Sequence, residues 1–198
     1  PHPDFKQNSL LYISFVTSEN NGRTRGAKVI RAKLESGKLL NHQLIWEQLP
    51  HTKGRGHFSH RLAFGPKGSS HDGMLFISSG DRQIMRPAQK FDNNLGKIIR
   101  LHDDGRIPRD NPFHELGFPA NTIWSMGHRN VLGISFSPND KLWANEMGPL
   151  HGDELNIIYK GANYGWPLVS EGNHYNGTHI PSHSTNKKFT PPVKYWVP

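Results

Sequence analysis

The sequence predicts an all-β fold of repeated antiparallel sheets, and three observations predict it. Short apolar runs alternate with polar residues at the period of two that marks half-buried strands. Glycine (20) and proline (15) punctuate the 198 residues closely, as many tight turns require. A pattern also repeats at long range. Leu10-Leu11-Tyr12-Ile13, Met74-Leu75-Phe76-Ile77 and Lys141-Leu142-Trp143-Ala144 follow one another at intervals of 64 and 67 residues. A proline turn precedes each run, at Pro3, Pro66 and Pro138, and a further strand candidate follows near Val29, Ile98 and Leu155. A tryptophan-bearing strand recurs at Trp46, Trp124 and Trp196. Sequential antiparallel strands repeated at this interval point to β-propeller blades, with a β-sandwich as the competing arrangement. Three repeats are fewer than the roughly four blades that closure needs. An incomplete β-propeller domain over residues 1–198 is therefore expected.

Each element has a local reason. Residues 9–16 alternate Leu11, Ile13 and Phe15 against Tyr12 and Ser14 and read as a strand. Asn20-Asn21-Gly22 turns the chain into a second strand over 27–34, and Ser36-Gly37 turns it again before a short strand over 44–48. A loop rich in glycine and histidine follows over 51–60, then strands over 61–64, 74–78 and 96–101. Residues 88–94 are the one stretch with a helical cast. The run 132–136 is a strand closed by a Ser-Pro-Asn-Asp turn. Polar groups gather at the ends of the apolar runs over 123–166, the layout of a site on loops held by a β scaffold.

Composition narrows the function. Lys plus Arg exceed Asp plus Glu by 24 to 16, a formal charge of +8, but the charges are scattered and form no basic block. Nucleic acid is therefore not an expected partner. The absence of cysteine excludes disulfide scaffolds, thiolate zinc sites and a cysteine nucleophile. No run reaches membrane-spanning length, so a soluble protein is expected. His-Glu-x-x-His, Gly-x-Ser-x-Gly and phosphate-loop spacings are missing.

Several groups have chemical potential. His57, in Gly56-His57-Phe58, is of the type that accepts a proton near neutrality, or it merely closes a loop as one of 13 histidines. Arg129 in His128-Arg129-Asn130 suits a carboxylate or another planar, oxygen-rich ligand, with Asn130 beside it; a network between blades is the plainer reading. The carbonyls of Gly148 and Pro149 suit a hard cation such as calcium, or form a simple turn. Asp153 and Glu154 add carboxylates nearby.

The ordered set of motifs resembles the soluble pyrroloquinoline-quinone (PQQ)-dependent aldose sugar dehydrogenases of the glucose/sorbosone dehydrogenase family. The matching stretches are His2-Pro3-Asp4-Phe5, Gly56-His57-Phe58, Leu95-Gly96-Lys97 and Asp104-Gly105-Arg106-Ile107-Pro108. The strongest are Ile123-Trp124-Ser125, Gly127-His128-Arg129-Asn130, Gly148-Pro149, Gly152-Asp153-Glu154-Leu155-Asn156 and Asn163-Tyr164-Gly165-Trp166-Pro167. The resemblance implies a six-bladed β-propeller, of which about three to four blades are represented, and an exported, periplasmic or secreted setting. It implies oxidation of the C1 hydroxyl of an aldose to a lactone, with PQQ and calcium as cofactors and an external electron acceptor as partner. By the same resemblance His57 is the general base, and Arg129 stabilises the reduced quinone. Asn130 positions it, Gly148 and Pro149 hold its calcium, and Glu154 with the Tyr164 backbone forms a second calcium site. Two positions depart from the family pattern. Leu132 stands where a glutamine is usual, and His60 where a small residue is usual, at the expected mouth of the site. A non-catalytic propeller module that binds a glycan or protein through Trp166 and Tyr175 is the alternative function.

Overall fold

The computed structural model describes residues 1–197. A one-turn helix, α1 (Phe5–Asn8), precedes eleven strands in three antiparallel sheets. The first sheet is β1 (Leu10–Glu19), β2 (Thr24–Glu35) and β3 (Lys38–Glu47). The second is β4 (Ser59–Phe64), β5 (Met74–Ser79), β6 (Lys97–His102) and β7 (Ile123–Met126). The third is β8 (Val131–Phe136), β9 (Leu142–Glu146), β10 (Asp153–Ile158) and β11 (Lys194–Trp196). Within each sheet the strands lie in chain order. Among the described residues no helix is long and apolar enough to cross a membrane.

The repeat maps onto these sheets strand for strand. Its three runs fall on β1, β5 and β9, its followers on β2, β6 and β10, and its tryptophans on β3, β7 and β11. β4 and β8 have no counterpart in the three-stranded first sheet, and they lie against each other. The helical cast expected over 88–94 is not borne out. Pro87 opens a single 3-10 turn, Arg86–Gln89, and the chain then bends through Asp92 and Asn93. The strand expected over 44–48 is longer, because β-bulges let Lys38 to Leu40 stay paired with β2.

The middle sheet is buried on both faces, which explains its near-continuous apolar strands. Leu75 and Ile77 of β5 pack with Val29, Trp46 and Ile99 against the first sheet. The intervening Phe76 points the other way and packs with Trp124, Val131 and Leu142 against the third. Phe76 and Trp124 meet edge to face with ring centroids 5.6 Å apart.

One buried cation organises the loop under the site. Lys97, fully buried, donates from Nζ to the carbonyls of Pro87 (2.8 Å), Ala88 (3.0 Å) and Leu95 (2.7 Å). Ala88 O also accepts from Gly127 N, just before Arg129 in the chain. A Lys97→Met chain leaves those carbonyls without their donor and is expected to lose about 3 kcal/mol of stability, read as a Tm lower by about 6–12 °C. Burial lowers the Lys97 ammonium from the ordinary 10.5 to about 7. Between those values the unfolded chain binds more protons, so stability rises with pH. The variant lacks that rise.

Candidate functional site

The chain reversals at one end of the second and third sheets build the site. Ser59 pairs with Ser79, and Val131 with Glu146, so the loops before β4 and β8 emerge beside those after β5, β7 and β9. The amide of Asp81 donates to Arg129 O at 2.8 Å and ties the loop after β5 to the loop after β7. Backbone strain concentrates here, with positive φ at His57 (52°), Arg82 (56°) and Gln83 (61°). Gly80 permits the approach, since a Cβ there would overlap the His57 carbonyl.

His57 is fixed by a carboxylate. Its Nδ1 lies 2.7 Å from Asp81 Oδ1, and the two side chains are 7% and 0% exposed. Asp81 is itself held, because Trp166 Nε1 donates to Oδ2 at 2.8 Å and Gln83 N to Oδ1 at 2.8 Å. An imidazole that donates from Nδ1 to a carboxylate leaves Nε2 as its acceptor, which is the tautomer a proton abstraction needs. Arg82 clamps the same loop, with Nη1 on Gly56 O, Nη2 on Gly54 O at 3.1 Å and its guanidinium 3.6 Å above the Phe58 ring.

His57 and Asp81 line a cavity of about 130 Å³ together with Arg129, Trp166, His174 and Tyr175. Arg129 Nη1 donates to Met147 O (3.1 Å) and Gly148 O (2.6 Å), and Nη2 to the Tyr175 hydroxyl (3.3 Å). Its Nε is buried without a partner, and among the described residues no carboxylate forms an ion pair with its guanidinium. A half-satisfied buried cation facing a cavity with Trp166 5.3 Å away fits a planar anion such as PQQ.

A second, smaller cavity adjoins it, sharing Arg129, Pro149 and Trp166. Its volume of about 10 Å³ holds one water-sized guest, and Gly148, Pro149, Glu146, Glu154 and Tyr164 line it. Glu146 and Glu154 stand directly opposite each other on β9 and β10, a like-charge pair, and both are buried. Glu146 is well provided for: Arg129 N donates to Oε1, and His128 Nδ1 lies 3.0 Å from Oε2. Glu154 receives only Asn156 Nδ2 at 3.1 Å. Burial and the neighbouring Glu146 push its carboxyl up to about 8. The two carboxylates and the Gly148–Pro149 backbone that line this cavity suit a hard cation such as calcium.

The structure thus gathers Gly148, Pro149, Glu154 and Tyr164 around one small cavity and sets His57 and Arg129 on the larger one. Asn130 lines neither. Its Oδ1 accepts from Ser59 Oγ at 3.0 Å. Tyr164 O already accepts from His183 Nε2 at 2.9 Å. His128 lies fully buried between Ser125 and Glu146, bracing the turn. His60 does not stand at the mouth of the site. It contacts Ser14 Oγ at 3.0 Å, and burial followed by Arg61 lowers its pKa. Leu132 is exposed at a β-bulge between Val131 and Gly133, outside both linings. Sequence reasoning assigned no role to Asp81 or Glu146. The signal for Asp81 was a carboxylate in the turn directly after an apolar strand.

The sequence model of the family described as Glucose / Sorbosone dehydrogenase matches residues 1–198. The chain belongs to the glucose/sorbosone dehydrogenase family. It is 38% identical over 182 residues to the aldose sugar dehydrogenase YliI of Escherichia coli, covering 90% of this chain and 47% of that protein. A crystal structure of glucose dehydrogenase superposes with a TM-score of 0.88 at 35% identity, covering 99% of this chain and 56% of the other. The PQQ-bound form of aldose sugar dehydrogenase from Streptomyces coelicolor superposes with a TM-score of 0.73 at 29% identity, covering 98% and 51%. The chain spans about half the length of the curated family relatives it matches.

Proposed function

We propose that this chain carries the base and part of the cofactor site of a quinone-dependent aldose dehydrogenase. In this reading residues 1–198 are a portion of one β-propeller domain, and the three sheets are blades of a propeller with six in the family. The observation that carries the reading is a carboxylate-fixed His57 set across one cavity from an Arg129 that has no anionic partner among the described residues.

Each residue then has a task. His57 Nε2 takes the proton of the sugar C1 hydroxyl. Asp81 holds the ring in the tautomer that leaves Nε2 free and stabilises the imidazolium that forms. Arg129 pairs with the quinone's oxygens, and Trp166 offers it a flat apolar wall. Asn130 acts behind this wall by fixing Ser59 and the start of β4. Gly148 and Pro149 would hold the quinone's calcium through their carbonyls, Gly148 O sharing Arg129 Nη1 with it, and Glu154 with the Tyr164 backbone would hold a second calcium, Tyr164 O also accepting from His183 Nε2. Held by these residues, PQQ would supply the two-electron acceptor for the C1 hydride, with calcium to polarise it and an external acceptor to take the electrons onward. The sugar leaves as a lactone.

The test is dye reduction by an aldose with the complete propeller that contains this chain, after loading with PQQ and calcium. The reading expects a rate that requires both additions. A rate that is the same without PQQ, or no rate with both present, contradicts it.

A further inference from the structure

Away from both cavities, Glu19, Glu47 and His51 each bring a ligand atom within 4.8 Å of the others. Glu19 ends β1, Glu47 ends β3, and His51 lies in the turn that leads on to His57. The ladder of the first sheet sets the two carboxylates at one end, with Glu19 opposite Thr24 and Glu47 opposite Lys28 on β2. The histidine position is built into the fold. Arg25 and Thr52 exchange both backbone hydrogen bonds, at 2.8 and 3.0 Å. Gly26 lies beneath the ring, where a Cβ would overlap Nε2.

The His51 side chain is only 5% exposed. Nδ1 stands 3.1 Å from Glu19 Oε2, and Nε2 stands 3.0 Å from Glu47 Oε1. Neither approach has hydrogen-bond geometry, and both ring nitrogens are buried without a hydrogen-bond partner. Close carboxylates that lie off the N–H directions are unusual for an ion pair. They are the natural spacing of ligands around an ion. A first-row divalent cation sits about 2.0–2.2 Å from nitrogen and oxygen donors, so two donors at a right angle on it stand about 3 Å apart. An ion on one ring nitrogen uses one of these two contacts and draws in the other carboxylate, whose ligand atom lies within 4.8 Å.

We propose that one ring nitrogen of His51, with Glu19 and Glu47, forms a site for a divalent transition cation of the zinc class. An imidazole with two carboxylates suits zinc better than calcium, which takes six to eight oxygens. Glu19, with its side chain 52% exposed, leaves an entry path and room for water as a further ligand. Lys28 Nζ, 3.0 Å from Glu47 Oε1, serves as the outer partner that orients a ligating carboxylate. The ion ties the ends of β1 and β3 to the segment that carries His57, so it stiffens that segment from outside the cavity.

The test is calorimetric titration of the chelator-stripped full chain with zinc at neutral pH, in excess calcium. One saturable site per chain and a raised Tm are expected. Glu19→Gln and His51→Gln are each expected to weaken that site about tenfold or more. Glu19 is exposed at a strand end, so its variant reports on the site even where loss of His51 perturbs folding. The chain has 13 histidines, so zinc binding elsewhere gives itself away by persisting in both variants. Unchanged affinity and stoichiometry in both, or no saturable site in the wild type, overturns the proposal and leaves the three groups as a metal-free ion triad.

Discussion

Replacing His57 by alanine is expected to lower sugar-dependent dye reduction by about 10²–10⁴-fold while leaving PQQ binding intact. The size follows from how firmly the ring is held. Asp81 is fully buried and its two oxygens take three contacts, from His57, Gln83 and Trp166, so the imidazole has one orientation and one tautomer. Asp81→Asn is expected to lower the rate in the same direction, because Oδ1 serves His57 and Gln83 while Oδ2 serves Trp166, so an amide sets its NH₂ against one of these donors and gives His57 at best a weaker, uncharged acceptor. Asp81 acts through His57 as a positioning residue. Its variant should therefore also shift the acidic limb of the pH–rate profile, which a merely structural loss does not move. Full sugar oxidation in the His57→Ala chain removes the base from the account.

The second large effect concerns calcium. Glu154→Gln is expected to stabilise the calcium-free chain by about 1–3 kcal/mol and to abolish the stabilisation that calcium gives the wild type. Glu154 faces Glu146 across the ladder, and burial with this neighbour raises its carboxyl to about 8. Glutamine has the shape of the protonated acid without the cost of holding it protonated. On the proposed site, calcium would support the ionised form instead and at a hundredfold excess over its Kd would add about 2.7 kcal/mol. Thermal melts of both chains with calcium and with chelator read both effects. A variant less stable than wild type in chelator, or one that keeps the calcium shift, contradicts the assignment.

Much of this was legible in the sequence because it rests on period and order. Alternation placed the strands, and the repeat of Leu10, Met74 and Lys141 placed the sheets in register with one another. β4 and β8 lie outside the repeated runs and were read over 61–64 and 132–136 without their first residues, which sit at the irregular pairings between Ser59 and Leu62 and between Val131 and Gly133. His57, Arg129, Gly148 and Pro149 were visible through the resemblance, but their partners were not. Asp81 lies 24 residues from His57, and Glu146 lies 17 from Arg129. Nothing local links such pairs until the ladders fold. His60 misled for the same reason. Its neighbour His57 faces the cavity, while the register at Ser59 turns His60 toward β1.

Arg129 has no anionic partner among the described residues and, in the proposed function, receives one from the quinone. Titrating the chain with PQQ, followed by quenching of its tryptophan fluorescence, tests it most directly. Saturable quenching that requires calcium and is lost in Arg129→Met is the predicted result. Equal quenching in the variant, or in chelator, contradicts it.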